Sequence, residues 1–201
     1  MGKMNHDESR REFLRRLGAG AMAAAALSVP GCAPKDEAHG PSTAGTGKMT
    51  YRKNLKGENV SLLGYGCMRW PMKPNPEGEG EVIDQDAVNS LVDYAIAHGV
   101  NYFDTAPPYV QGLSEEATGI ALSRHPRDSY YIATKMSNHH LADQMEGEAL
   151  LRASKEMYYN SMKKLRTDYI DYYLLHFCGG GDGLPYFHRR FDDCGMLDFL
   201  L

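Results

Sequence analysis

Asn101–Glu116 reads NYFDTAPPYVQGLSEE. The apolar run Val100–Phe103 has the composition of a buried strand, and it stops at an acid, Asp104. Beyond the acid, a Pro- and Gly-containing loop carries Tyr109. An aspartate at such a place can simply cap a turn. It gains chemical meaning only if other strands end in partners for it.

Working outward, Leu62–Gly66 reads as a strand and Asp84–His98 as a helix. Ala87, Leu91, Tyr94, Ala95 and His98 fall at helical spacing, Asp84 or Gln85 starts the helix and Gly99 stops it. Downstream, Ser114 is in place to N-cap a helix reaching Leu122. Ser129–Thr134 reads as a third strand and Glu148–Leu165 as a helix, with Leu151, Met157, Tyr158, Ser161, Met162 and Leu165 along one stripe. Tyr169–Leu175 reads as a fourth strand, and a further helix begins near Asp193. Ahead of all these, Thr50–Arg52 and Asn59–Leu62 flank a turn at Lys56–Glu58 and predict a hairpin.

The four strand starts lie roughly 30–40 residues apart, against about 31 per unit in a ~250-residue barrel of eight. Alternating strands and helices predict an α/β fold whose sheet is parallel, with right-handed crossovers. Such sheets gather their functional groups at the carboxyl ends of the strands. Here those ends are Gly66-Cys67-Met68, Asp104, Thr134-Lys135 and His176. Taken singly, a lysine ending a strand is a solvated terminus, a histidine after Leu174-Leu175 a hydrogen-bonded core residue, and Tyr109 a packed loop aromatic. An acid, a lysine and a histidine at matching topological places point instead to one pocket.

Composition bounds the partners. The chain has 201 residues, 42% apolar, with a net charge of −4, and carries no basic footprint for nucleic acid. Cys32, Cys67, Cys178 and Cys194 lie far apart, without the spacing of a zinc site or a disulfide framework. Residues 1–32 read as an export signal. Ser9-Arg10-Arg11-Glu12-Phe13-Leu14 precedes the small-residue apolar stretch Leu17–Val29, which is too short for an ordinary membrane span. That layout resembles a twin-arginine signal, and Pro30-Gly31-Cys32 resembles a lipoprotein cleavage site, with Val29 and Pro30 departing from the usual pattern. The expectation is a protein exported by the twin-arginine machinery to the periplasm, with membrane anchoring through a lipidated Cys32. Residues 33–48, rich in Pro, Gly, Ser, Thr and Ala, read as a flexible linker, and the folded domain is expected over 49–201.

The segments VSLLGYGCMRWP, GVNYFDTAPPYVQGLSEEATGIAL, YYIATKM and SMKKLRTDYIDYYLLH together resemble the successive signatures of the aldo/keto reductases. The resemblance implies a TIM-type (β/α)8 barrel closed at its base by the N-terminal hairpin, with NADPH lying across the carboxyl face. About four of the eight units would be present here, a half barrel, so the chain is expected to be a truncated version of a longer reductase. It implies a catalytic tetrad of Asp104, Tyr109, Lys135 and His176, and a cofactor bordered by Gly66, Cys67, Met68 and Asp104. Some relatives with similar signatures continue into a cysteine-rich iron–sulfur segment, so such a cluster is expected only beyond Leu201.

The chemistry of such a tetrad is coherent. Reducing an aldehyde, ketone or quinone places a hydride on carbon while charge grows on oxygen, so a proton donor and hydrogen-bond donors must meet that oxygen. Tyr109 would be the donor. A free tyrosine holds its proton to about pH 10, and a neighbouring Lys135 ammonium, aimed by Asp104, favours the phenolate. His176 would orient the carbonyl. The expected geometry has the Lys135 ammonium in hydrogen-bond reach of both Asp104 and the Tyr109 hydroxyl. Four residues separate Tyr109 from Ser114-Glu115, more than in the commonest form of the motif, so this loop is expected to sit differently. Gly179–Gly183 follows a strand without leading directly into a helix, and reads as a mobile substrate-side loop or plain linker rather than a phosphate loop. Two other readings stay open: a non-catalytic exported lipoprotein or binding module, and an inactive fragment.

Overall fold

The computed structural model describes residues 48–201. The expected export signal at 1–32, Cys32 and all of the expected 33–48 linker but Lys48 lie outside the described residues. The first two strands, β1 (Tyr51–Lys53) and β2 (Asn59–Ser61), form an antiparallel hairpin. Its turn closes because Asn54 Oδ1 accepts from the backbone of Lys56 and Glu58, and Gly57 supplies a φ of 80°. Ser61 and Asn101 exchange side-chain-to-backbone hydrogen bonds, and Asn54 Nδ2 donates to the Tyr172 hydroxyl. Asn101 and Tyr172 stand at the amino ends of sheet strands, so the hairpin floors that end.

The main sheet contains β3 (Tyr65–Gly66), β6 (Tyr102–Asp104), β7 (Tyr131–Met136) and β8 (Tyr172–Leu175), in that order and all parallel. Between β3 and β6 comes a second hairpin, β4 (Met72–Pro74) with β5 (Glu81–Ile83), which sequence reading does not anticipate. Helix α1 (Gln85–Ala97) follows, then α2 (Ser114–Leu122) after β6. The short α3 (His139–Ala142) and the long α4 (Gly147–Leu165) connect β7 to β8. After β8 come α5 (Leu184–Phe187), a π turn at His188–Asp192 and α6 (Met196–Leu200). Strand–helix alternation around a parallel sheet is half of a (β/α)8 barrel in its architecture.

Alternation along each strand separates two faces. Phe103, Ile132 and Met136 point to the helices and are fully buried. They pack with Val88 and Val92 of α1, Ala121 and Leu122 of α2, and Leu150 of α4. Each such aliphatic or aromatic side chain contributes roughly 1.5–3 kcal/mol on burial. Where α2 crosses α4, a Cβ on Gly119 would lie 2.3 Å from the Lys164 carbonyl oxygen, so the two backbones meet there as only glycine allows.

Several local expectations are corrected. Of the expected stripe of α1, Ala95 is buried, but Val88 and Val92 complete the buried face in place of Ala87 and Leu91; Leu91 and Tyr94 face solvent, and Tyr94 stacks on His98. Ser114 does not cap α2. Its hydroxyl is buried, donating to the Cys67 carbonyl at 2.6 Å. Leu62 and Leu63 precede the first sheet strand and are exposed. The last strand starts only at Tyr172, because Arg127 holds the preceding segment. Its guanidinium stacks on Tyr169, donates to the Tyr169 carbonyl and pairs with Asp171 at 2.6 Å. The Gly179–Gly183 run does lead straight into a helix, the single turn α5, opened by Gly183 at φ 80° and Pro185 in its first turn. The final helix begins at Met196 rather than Asp193, behind Gly195 at φ 78°.

Candidate active site

Register decides what meets at the carboxyl edge. Gly66 pairs with Asp104, Asp104 with Ala133, and Ala133 with Tyr172. Counting two residues along β7 and four along β8 puts Lys135 and His176 on the same inner face as Asp104. The His176 N–H continues the ladder by donating to the Met136 carbonyl.

Lys135 is 9% exposed. Its ammonium donates to Asp104 Oδ1 at 2.6 Å and to the Thr105 carbonyl at 2.7 Å. It also lies 4.6 Å from the centroid of the Tyr109 ring, within cation–π range. The expected hydrogen bond from Lys135 to the Tyr109 hydroxyl is not among those of the described residues, and the ammonium meets the ring instead. The longer loop accounts for this: Val110, Gln111 and Gly112 follow Tyr109 with φ of 49°, 56° and 89°. A left-handed β-branched valine is a strained conformation, and it turns the tyrosine over the lysine. The rings of Tyr109 and His176 meet edge to face with centroids 6.0 Å apart. Asp104, Lys135, Tyr109 and His176 are thus brought together.

His176 is held neutral. Burial is the main cause that pushes its titration down, joined by the charges of Lys135, His139 and Arg190, with Asp104 opposing. Its Nδ1 lies 2.6 Å from Ser137 Oγ.

The residues after β3 behave differently. Cys67 is fully buried, its thiol turned into the core and pushed up to about 12, chiefly by desolvation. Its N–H donates to the Asp104 carbonyl and its carbonyl accepts from the Ser114 hydroxyl. Met68 is 56% exposed. A Cβ on Gly66 would meet no atom within 4 Å, so open space lies against the end of β3 beside Asp104. Gly66, Asp104 and Lys135 stand at the edge of that space. Among the described residues no group of three His, Cys, Asp or Glu side chains could hold a metal ion.

Sequence reasoning missed Ser137, Asn138 and Arg190. The first two lie one turn of chain beyond Lys135 and could have been found by extending the strand-end rule. Arg190 carried no signal, since Arg189-Arg190 reads as a solvated pair.

Comparison with known proteins agrees with this architecture. The profile of the aldo/keto reductase family matches residues 62–180, more than half of the chain. An uncharacterized oxidoreductase, YqkF of Bacillus subtilis, is 35% identical over 121 residues, covering 59% of this chain and 35% of the relative. An aldo-keto reductase of Bacillus halodurans in its holo form superposes with a TM-score of 0.50 at 27% identity, over 74% of this chain and 47% of the other. One from Klebsiella pneumoniae in complex with NADPH gives 0.50 at 28% identity, over 67% and 40%. The chain spans about a third of the length of the curated relatives it matches.

Proposed function

Because the chain belongs to the aldo/keto reductase family, we propose that it serves an NADPH-dependent reduction of a small-molecule carbonyl, an aldehyde, ketone or quinone, with Tyr109 as proton donor. The observation that carries the reading is the Lys135 ammonium, fixed by Asp104 at 2.6 Å and lying under the Tyr109 ring. When bound, NADPH supplies the hydride from its nicotinamide. The chain's own groups handle the oxygen. Tyr109 donates its phenolic proton to the developing alkoxide, and the Lys135 charge stabilises the phenolate left behind. Asp104 and the Thr105 carbonyl hold the ammonium in place. His176, neutral and adjoining Tyr109, offers the second hydrogen bond to the carbonyl oxygen. Gly66 leaves room for the nicotinamide against the end of β3.

We further propose that the protein is exported by the twin-arginine route and anchored through Cys32, on the strength of Ser9–Leu14 and Pro30-Gly31-Cys32 alone. Replacing Arg10 and Arg11 by Lys should trap the protein in the cytoplasm; undiminished export sinks that reading.

The enzymatic proposal is tested on the protein expressed from its complete reading frame. NADPH binding is followed by fluorescence, and its oxidation by absorbance, against a panel of aldehydes, ketones and quinones. Carbonyl-dependent oxidation is expected. Binding of NADPH without any carbonyl-dependent turnover would favour a non-catalytic binding module instead.

A further inference from the structure

His176 is gripped at both its ring and its main chain. The ring Nδ1 lies 2.6 Å from Ser137 Oγ, and the carbonyl accepts from Arg190 Nη2 at 2.7 Å. Ser137 and Arg190 are both buried, at 1% and 0% exposure. Arg190 also donates from Nη1 to the Phe177 carbonyl at 2.9 Å and from Nε to Asn138 Oδ1 at 3.0 Å. All its hydrogen-bond acceptors are neutral, a costly way to bury a cation. What it holds is the main chain at His176 and Phe177, where Phe177 takes a left-handed φ of 60°.

A neutral imidazole has one N–H donor and one bare acceptor nitrogen. The Ser137 hydroxyl has one hydrogen and two acceptors in reach: His176 Nδ1 at 2.6 Å and the Lys135 carbonyl at 3.5 Å. The shorter contact is the better use of that hydrogen. Ser137 then donates, Nδ1 accepts and the ring proton sits on Nε2. The opposite arrangement would leave a bare Nε2 lone pair, which repels a carbonyl oxygen instead of polarising it.

We propose that Ser137 is a positioning residue that fixes His176 as its Nε2–H tautomer, while Arg190 pins the same residue's backbone, so that a ring N–H meets the substrate oxygen beside Tyr109. Its use in catalysis rests on the carbonyl-reductase reading, whereas the tautomer is a property of this chain in any case. Lys135, His139, Arg190, Asp104 and Tyr109 are the charged or titratable groups facing the ring, and burial with the charges of Lys135, His139 and Arg190 outweighs Asp104 in disfavouring a proton on it.

The test has two arms. The full chain, labelled with 15N-histidine, is examined at pH 7 by long-range proton–nitrogen correlation, His176 being assigned by loss of its signals in His176→Gln. The wild type should show a bare Nδ1 and a protonated Nε2, Ser137→Ala a mixture of tautomers, and Ser137→Thr the wild-type pattern. A protonated Nδ1 in the wild type, or a Ser137→Ala spectrum identical to it, overturns the proposal. In the second arm, turnover of the complete reading frame with NADPH should fall about 2- to 10-fold in Ser137→Ala, the worth of one hydrogen bond. The fall should appear in kcat with KM unchanged and be recovered in Ser137→Thr. A loss that Thr fails to recover marks a packing effect and also overturns the assignment. Absence of turnover in the wild type defeats the reductase reading, and the labelled spectrum then decides the tautomer alone.

Discussion

The two faces of strand β7 do opposite work with residues that alternate. Toward the helices it presents Ile132, Thr134 and Met136, all fully buried, and toward the inside Ala133 and Lys135. Beside the outer face lies the buried carboxyl group of Glu115, which accepts from Thr134 Oγ1 at 2.7 Å. The inner face ends in a lysine held by Asp104 and covered by Tyr109. On the proposed reading one strand divides stability from chemistry by parity of residue number, and a shift of one residue in register would exchange them.

The sharpest way to break this division is to remove one group from each face. Lys135→Met should lower kcat by ~10²–10³-fold, as loss of a preorganised charge at the reacting oxygen does. The melting temperature should move little, because Asp104 is partly exposed and can be solvated. Extensive unfolding of this variant, read by circular dichroism, would show that the inner face also carries stability. On the other face, Phe103→Ala should cost ~3–5 kcal/mol in urea denaturation, while its folded fraction keeps its Kd for NADPH. A stable Phe103→Ala protein with weakened cofactor binding would reverse the assignment of faces.

A smaller effect sharpens the picture of the outer face. Burial raises the Glu115 titration, with Thr134, Ser161, Lys164 and Lys135 opposing. The folded state thus binds this proton at higher pH than the unfolded state does, so stability falls as pH rises from about 4.3 through the raised folded value. Glu115→Gln should remove that fall, so that between pH 4.5 and 7.5 the urea midpoint of the variant rises relative to that of the wild type as pH increases. The lowered titrations of His139 and His176 act in the opposite sense, losing stability as pH drops below about 6.5. They are common to both proteins and cancel in the comparison. Equal slopes would mean that Glu115 is solvated in the folded state.

What was legible in the sequence follows the same division. The limits of α1 were readable because Asp84 accepts from the Ala87 N–H and Gly99 takes a φ of 87°. Part of its buried face was misplaced by one residue, since two overlapping stripes both satisfy a 3.6-residue period and only packing against Phe103 and Ile132 chooses between them. The residues ending β6, β7 and β8 were legible because strand topology alone places them. The hairpin β4–β5 was hidden by its Pro and Gly content, which reads as loop. Contacts between distant side chains were not readable either. Arg190 meets Asn138 across 52 residues, and Ser137 meets His176 across 39. The geometry of Tyr109 depends on three successive left-handed residues, two of them not glycine, against their intrinsic preference.

The central claim, that the inner face performs carbonyl reduction, is tested most directly with a deuterium label. The complete protein is given NADPH deuterated at the transferable position of nicotinamide C4, with an aldehyde in ordinary water. The account predicts an alcohol carrying deuterium at the former carbonyl carbon, formed ~10²–10⁴-fold more slowly by Tyr109→Phe. An alcohol free of deuterium, or label transfer at an undiminished rate in Tyr109→Phe, would contradict it.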